Sequence, residues 1–144
     1  MKKTIIIILI LTVCIVISFS CAYNTFMSQK NKLVKFNAEY ENYYNKEIYG
    51  ADLATIINKV TNNNSNYNVQ KDEKGNYIED ENNSIKMDIY IIDSDTIYSI
   101  EKIYSLGTAR FVENFNSAKF KCTKIEYHDK SNKVKYLYFE QISN

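Results

Sequence analysis

Ile85-Lys86-Met87-Asp88-Ile89-Tyr90-Ile91 alternates aliphatic and polar positions at every step. Successive side chains of a strand point to opposite faces, so this pattern reads as a half-buried β-strand. Asp93-Ser94-Asp95 follows as a turn. A second strand is expected beyond it, with Tyr98, Ile100 and Lys102 on one face and Ile97, Ser99, Glu101 and Ile103 on the other. Ser105 and Gly107 then open a short helix with Phe111, Val112 and Phe115 on its apolar edge. A third strand carries Phe120, Cys122 and Lys124 opposite Lys119, Lys121, Thr123 and Ile125. His128 to Lys133 reads as a turn. The last strand, in which Val134, Tyr136 and Tyr138 alternate with Lys135, Leu137 and Phe139, is expected to be covered on both faces.

Upstream of this sheet the period changes from two to between three and four. Leu33, Phe36, Tyr40 and Tyr43 make one stripe of a helix. Gly50 breaks it. Asp52 is placed to cap a second, short helix whose apolar face is Leu53, Ile56, Ile57 and Val60. Asn62-Asn63-Asn64 is expected to end that helix, because Asn competes for backbone hydrogen bonds. Residues 62–83 are the most polar stretch. Within them Asp72-Glu73-Lys74-Gly75-Asn76 marks a turn, and Tyr67, Val69, Tyr77 and Ile78 could flank it as a small hairpin.

At the N-terminus, Lys2 and Lys3 precede an apolar run from Ile5 to Ile17, broken only by Thr12. A positive tip before such a run is an export or membrane-insertion signal. Three fates fit it. From Thr4 to Ala22 a helix would span about 28 Å, close to the roughly 30 Å of a bilayer core, which suits an uncleaved anchor. Ser20 and Ala22 suit cleavage after Ala22 and secretion. Ser18-Phe19-Ser20-Cys21 resembles a bacterial lipobox, which would lipidate Cys21. The positive tip keeps the N-terminus inside and places the rest of the chain outside. The expected organisation is a signal anchor or signal peptide over 1–22, an amphipathic helical stalk over 23–49 and an extracytoplasmic α+β domain over 50–144. In fold terms this is an N-terminal transmembrane helix extended as an amphipathic rod, a short helix, and a four-stranded antiparallel sheet with one intervening helix.

Charge narrows the function. The chain has 18 Lys and Arg, two of them in the N-terminal tip, against 17 acids, so the remainder is nearly neutral. Nucleic-acid binders carry a basic patch or groove, and none is present. The 13 tyrosines therefore do not read as a base-stacking platform. Of three cysteines, Cys14 and Cys21 lie in or beside the apolar run, and Cys122 is alone in the domain and reads as a small buried hydrophobe.

Candidate chemistry is sparse. The single histidine, His128, stands beside Asp129 and six residues from Cys122. Along a strand that is roughly 20 Å, too far for a Cys–His pair. His128 is expected to be exposed at its turn. Asp93 and Asp95 read as turn formers. Gln70 to Gly75 is the nearest approach to a calcium loop, but Gln70 and Lys74 stand where acids or Asn are needed. Glu79-Asp80-Glu81 reads as a solvated acidic run. Zinc spacing, a phosphate loop and a serine-hydrolase elbow are all missing from the sequence. No cofactor is expected and the chain reads as a non-enzyme.

The segment Lys2 to Asn64, with Phe36-Asn37-Ala38-Glu39-Tyr40 and Tyr49-Gly50-Ala51-Asp52-Leu53, resembles small membrane-anchored proteins of low-GC Gram-positive bacteria. The order of charged tip, apolar helix, amphipathic rod and antiparallel sheet is also similar in architecture to type IV pilins and pseudopilins. It differs at the pilin processing site, since no Gly precedes the apolar run and Ile5 to Leu9 are all apolar. The expected protein is membrane-anchored and extracytoplasmic and acts by interaction, as a pilin-like or envelope-assembly component that meets an envelope partner or a second copy through Leu33, Phe36, Tyr40 and Tyr43 if the domain does not cover that stripe. A second reading is a surface lipoprotein or ligand-binding module anchored at Cys21 with its site on the sheet. A third, a hydrolase, would need a deep pocket holding His128 and two carboxylates.

Overall fold

The computed structural model describes residues 2–142. The chain divides into two compact units, Met1–Lys35 and Phe36–Asn144. Helix α1, Lys2–Glu41, supplies every described residue of the first unit and the opening of the second.

In the first unit the aliphatic side chains from Ile5 to Ile17 are all exposed, and the helix is long and apolar enough to cross a membrane. Three of its hydroxyls bond within it. Thr12, Ser18 and Thr25 donate to the carbonyls of Leu9, Cys14 and Cys21 at 2.8, 2.8 and 2.9 Å. A helix surrounded by hydrocarbon needs this, because lipid offers its polar groups no partner.

The second unit is α+β. After α1 ends at Glu41, Asn45 turns the chain in a left-handed conformation at φ 57°, and β1, Glu47–Tyr49, follows. These residues, expected within the helical stalk, pair instead with β4. Next come α2 (Gly50–Asn66), β2 (Lys86–Ile91), a 3-10 turn (Ile92–Ser94) and β3 (Thr96–Ser99). Then follow α3 (Ile100–Leu106), α4 (Thr108–Phe115), β4 (Lys119–Tyr127) and β5 (Val134–Ile142). The sheet has five strands in the order β1-β4-β5-β2-β3. The antiparallel expectation holds for three of the four pairings, and β2 and β5 run parallel. Parallel neighbours need a crossover, which α3, α4 and β4 provide.

Several local expectations change. The second strand stops at Ser99. The Ser99 hydroxyl accepts from Lys102 N at 3.4 Å, and Ile100 and Ile103 are buried three residues apart, so the segment follows the helical period. Two helices therefore intervene where one was expected, separated by Gly107 at φ 90°. In β4 the register slips between Cys122 and Lys124. That bulge reverses the alternation: Phe120 and Cys122 are buried, Lys124 is exposed, and Ile125 packs on the core. β5 is deeply covered on one face only, by Val134, Leu137 and Phe139, while Tyr136 and Tyr138 are half-buried.

Helix α2 opens at Gly50 with Asp52 inside its first turn, so Asp52 is not the cap. It does not end at Asn62 either. Asn63 and Asn64 are buried, and the helix reaches Asn66. The amide of Asn64 donates to Ile85 O and accepts from Ile85 N, both at 2.8 Å. Asn63 donates to Asn83 O at 2.7 Å. Tertiary partners thus satisfy the side chains that would otherwise compete with the helix. The core joins Leu53, Ile56, Ile57 and Val60 of α2 to Met87, Ile89 and Ile91 of β2, Phe120 of β4 and Phe139 of β5. Between α2 and β2, Lys71 and Tyr77 form one antiparallel bridge around a turn held by Asp72, whose Oδ1 accepts from Lys74 N and Asn76 N at 2.9 and 2.8 Å.

Candidate functional site

The acidic run and the histidine, 47 residues apart and read separately from sequence, meet at one cleft. It holds about 290 Å³ and is lined by Glu79, Asp80, Glu81, His128, Asp129, Lys130 and Lys135. Two loops build it. In the first, Asp80 Oδ1 accepts from the backbone N–H groups of Asn82, Asn83 and Ser84 at 2.8, 2.5 and 2.9 Å. Burial alone would raise the Asp80 pKa. The three donors, with His128 nearby, outweigh it and hold the carboxyl below its ordinary value. In the second, His128 N bonds to Lys133 O at 2.8 Å and Asn132 N to His128 O at 2.9 Å, with Asn132 left-handed at φ 55°.

The loops are tied to each other. His128 is buried, not exposed as expected at a turn, and its Nε2 lies 2.8 Å from Ser84 O. The carbonyl can only accept, so Nε2 carries the proton and Nδ1 is the nitrogen left for other chemistry. Ser131 Oγ donates to Asn82 O at 2.8 Å, Lys133 Nζ to Asn83 Oδ1 at 2.7 Å, and Lys130 pairs with Glu81. Glu79 lies 3.7 Å from Lys135 and 3.9 Å from Lys86. These ion pairs are exposed and contribute little stability. The cleft brings the histidine to carboxylates, but it is open and not the deep pocket the hydrolase reading requires, and Asp80 is committed to backbone. Its lining contains no hydroxyl or thiol nucleophile. What it can do is hold a small polar solute by hydrogen bonds and charge.

The other flagged residues are scattered. Cys122 is buried on β4, its Sγ 3.6 Å from Lys124 O, and burial pushes its thiol up to about 11, which keeps it protonated and unreactive. Cys14 and Cys21 are free and exposed on α1. Asp93 accepts from Gln141 Nε2 at 3.2 Å and Asp95 from the Tyr90 hydroxyl at 2.8 Å. Among the described residues no group of His, Cys, Asp and Glu is arranged to hold a metal ion.

The stripe on α1 divides between the units. Leu33 belongs to the first and is partly exposed. Tyr40 is 3% exposed in the core of the second, and Phe36 and Tyr43 pack against that core. Phe36 meets Tyr40 edge-on at 5.5 Å between ring centroids. Of the four residues expected to meet a partner, Tyr40 is thus covered by the domain itself and Phe36 and Tyr43 are partly covered. Asn37, unremarked in the sequence, also serves the domain: it donates to Asn132 O at 2.8 Å and accepts from Val134 N at 3.1 Å. Compared with family models, curated proteins and solved structures, the chain has no significant match.

Proposed function

We propose that this chain is a membrane-tethered, extracytoplasmic interaction module: α1 holds it at the membrane and the α+β unit meets a partner. The observation that supports the reading is an apolar helix with exposed side chains and three internally bonded hydroxyls, joined to a unit whose core is already filled. A soluble protein has no use for so long an exposed aliphatic surface. Because Tyr40 and its neighbours pack inward, the partner surface is sought elsewhere than on the stripe. The reading keeps the architectural likeness to envelope-assembly proteins and drops the stripe as the contact.

Membrane fractionation with alkaline carbonate extraction, combined with intact mass, tests it. The expected result is an uncleaved chain in the membrane pellet, with the α+β unit digestible by protease added from outside. Replacing Ile8 with Arg should cost roughly 3 kcal/mol of insertion and shift the chain to the soluble fraction. A freely soluble, uncleaved native chain would refute the tether. A mass beginning at a lipid-modified Cys21 would support tethering by lipid instead, and one beginning at Tyr23 would mean secretion.

A further inference from the structure

Strand β3 ends the sheet on one side and hydrogen-bonds along its length only to β2. Edge strands invite pairing with another chain, and proteins guard them with Lys, Pro, bulges or inward charge. Thr96-Ile97-Tyr98-Ser99 is short, and Lys102 Nζ lies 4.6 Å from the Tyr98 ring, but the strand itself carries no Lys, Pro, bulge or inward charge. The opposite edge strand, β1, carries Glu47, paired with Lys119 at 3.6 Å. Among the described residues of the second unit, the exposed large aliphatic side chains are Ile78, Ile92, Ile97 and Leu106. Ile97 lies on β3 itself and Leu106 shares a cavity with Tyr98, so some exposed apolar surface lies at this edge.

On the helix-covered side of β3 lies a cavity of about 140 Å³, walled by Tyr98, Ile103, Leu106, Arg110, Phe111 and Phe115. A cavity of about 150 Å³ takes a molecule the size of benzene, so this one takes a single apolar side chain. Arg110 is the only arginine in the chain. Arg110 is exposed, and among the described residues no ion pair engages its guanidinium. An arginine fork beside an apolar slot is suited to a carboxylate attached to an apolar group.

We propose that β3 is a docking edge for the C-terminal segment of a partner protein. The segment adds to the sheet as a further strand. One of its apolar side chains enters the cavity, and its terminal carboxylate meets Arg110. Residues alternate between faces, so the neighbouring side chains of the segment cover Ile97 on the other face. Main-chain hydrogen bonds along Thr96–Ser99 supply affinity, and the slot and the arginine supply specificity. This deepens the tethered-module reading by naming its binding edge. The two fail separately, since fractionation tests α1 and peptide capture tests β3.

The test uses the full chain in lipid nanodiscs and a library of random heptapeptides displayed with free C-termini. The expected result is enrichment of peptides with an apolar residue at or near the C-terminus. Amidating that terminus should weaken binding to the unaltered protein at least tenfold. Arg110→Gln should cause a similar loss, and Ile97→Asp should weaken binding with the protein still folded by circular dichroism. No enrichment would overturn the proposal, as would captured peptides indifferent to amidation and to both substitutions. Discs that hold two chains, separated by Ile97→Asp, would assign the edge to a second copy and overturn it as well.

Discussion

The two hydrogen bonds between Asn64 and the backbone of Ile85 leave that residue's N–H and C=O satisfied at a fully buried position. An amide side chain presents one donor and one acceptor side by side, as a neighbouring strand would. Asn64→Ala strands both backbone groups away from water, at roughly 1–3 kcal/mol each. The expected loss is about 3 kcal/mol, read from the midpoint of urea unfolding at unchanged slope. Asp80 supports the same loop by charge. Its folded pKa is depressed, so its contribution is present above the ordinary carboxylate value of about 4 and is lost as pH falls through the folded value. Stability should therefore decline below about pH 4, and Asp80→Asn should flatten part of that decline in urea titrations repeated across pH. An unchanged acid slope would mean that Asp80 does not carry the effect.

At the scale of elements, the start of α2 rests on the end of α4. A side chain on Gly50 would overlap the carbonyl of Phe115, and Gly50 N bonds to Ala118 O at 3.0 Å. The obstacle is backbone, which cannot swing aside. Gly50→Ala should thus destabilise by about 2 kcal/mol or more despite its better helix propensity, a sign that thermal unfolding reads directly. This contact also marks where sequence reading stopped. The α2 stripe of Leu53, Ile56, Ile57 and Val60 and the alternation of β2 were legible because each repeats within a few residues. Ile100 to Ile103 satisfied two periods at once, and only the Ser99 cap decided between them. Short, polar-flanked β1 carried no pattern of its own and exists because β4 lies beside it. The cleft was invisible for a related reason: Glu79–Glu81 and His128–Lys130 meet through the sheet, and local periodicity carries no information about that meeting.

For the molecule as a whole, the compact second unit begins inside α1, at Phe36, well before the break at Gly50. Two truncations follow from this. A chain starting at Phe36 keeps Asn37 and Tyr40 and should fold cooperatively. A chain starting at Asn42 loses the burial of Tyr40, the edge-on Phe36 contact and the Asn37 bonds to the β4–β5 turn. Removing one large aromatic from a core costs about 3–5 kcal/mol, a large share of the stability of a domain this size. The shorter fragment should show a much lower melting temperature or no transition. Equal melting temperatures would mean that the last turns of α1 are dispensable.

The parallel pairing of β2 with β5 has a consequence in time. β5 lies in the middle of the sheet, between β4 and β2, yet it comes last in chain order. Until Val134–Ile142 has been synthesised, the β2–β3 hairpin and the β1–β4 pair have no strand to join them. Pairings this distant along the chain are also slow to form. A growing polypeptide with this topology leaves its sheet unclosed until Val134–Ile142 emerges. Closure of the sheet, like that of a clasp, waits on the one strand that joins its two halves.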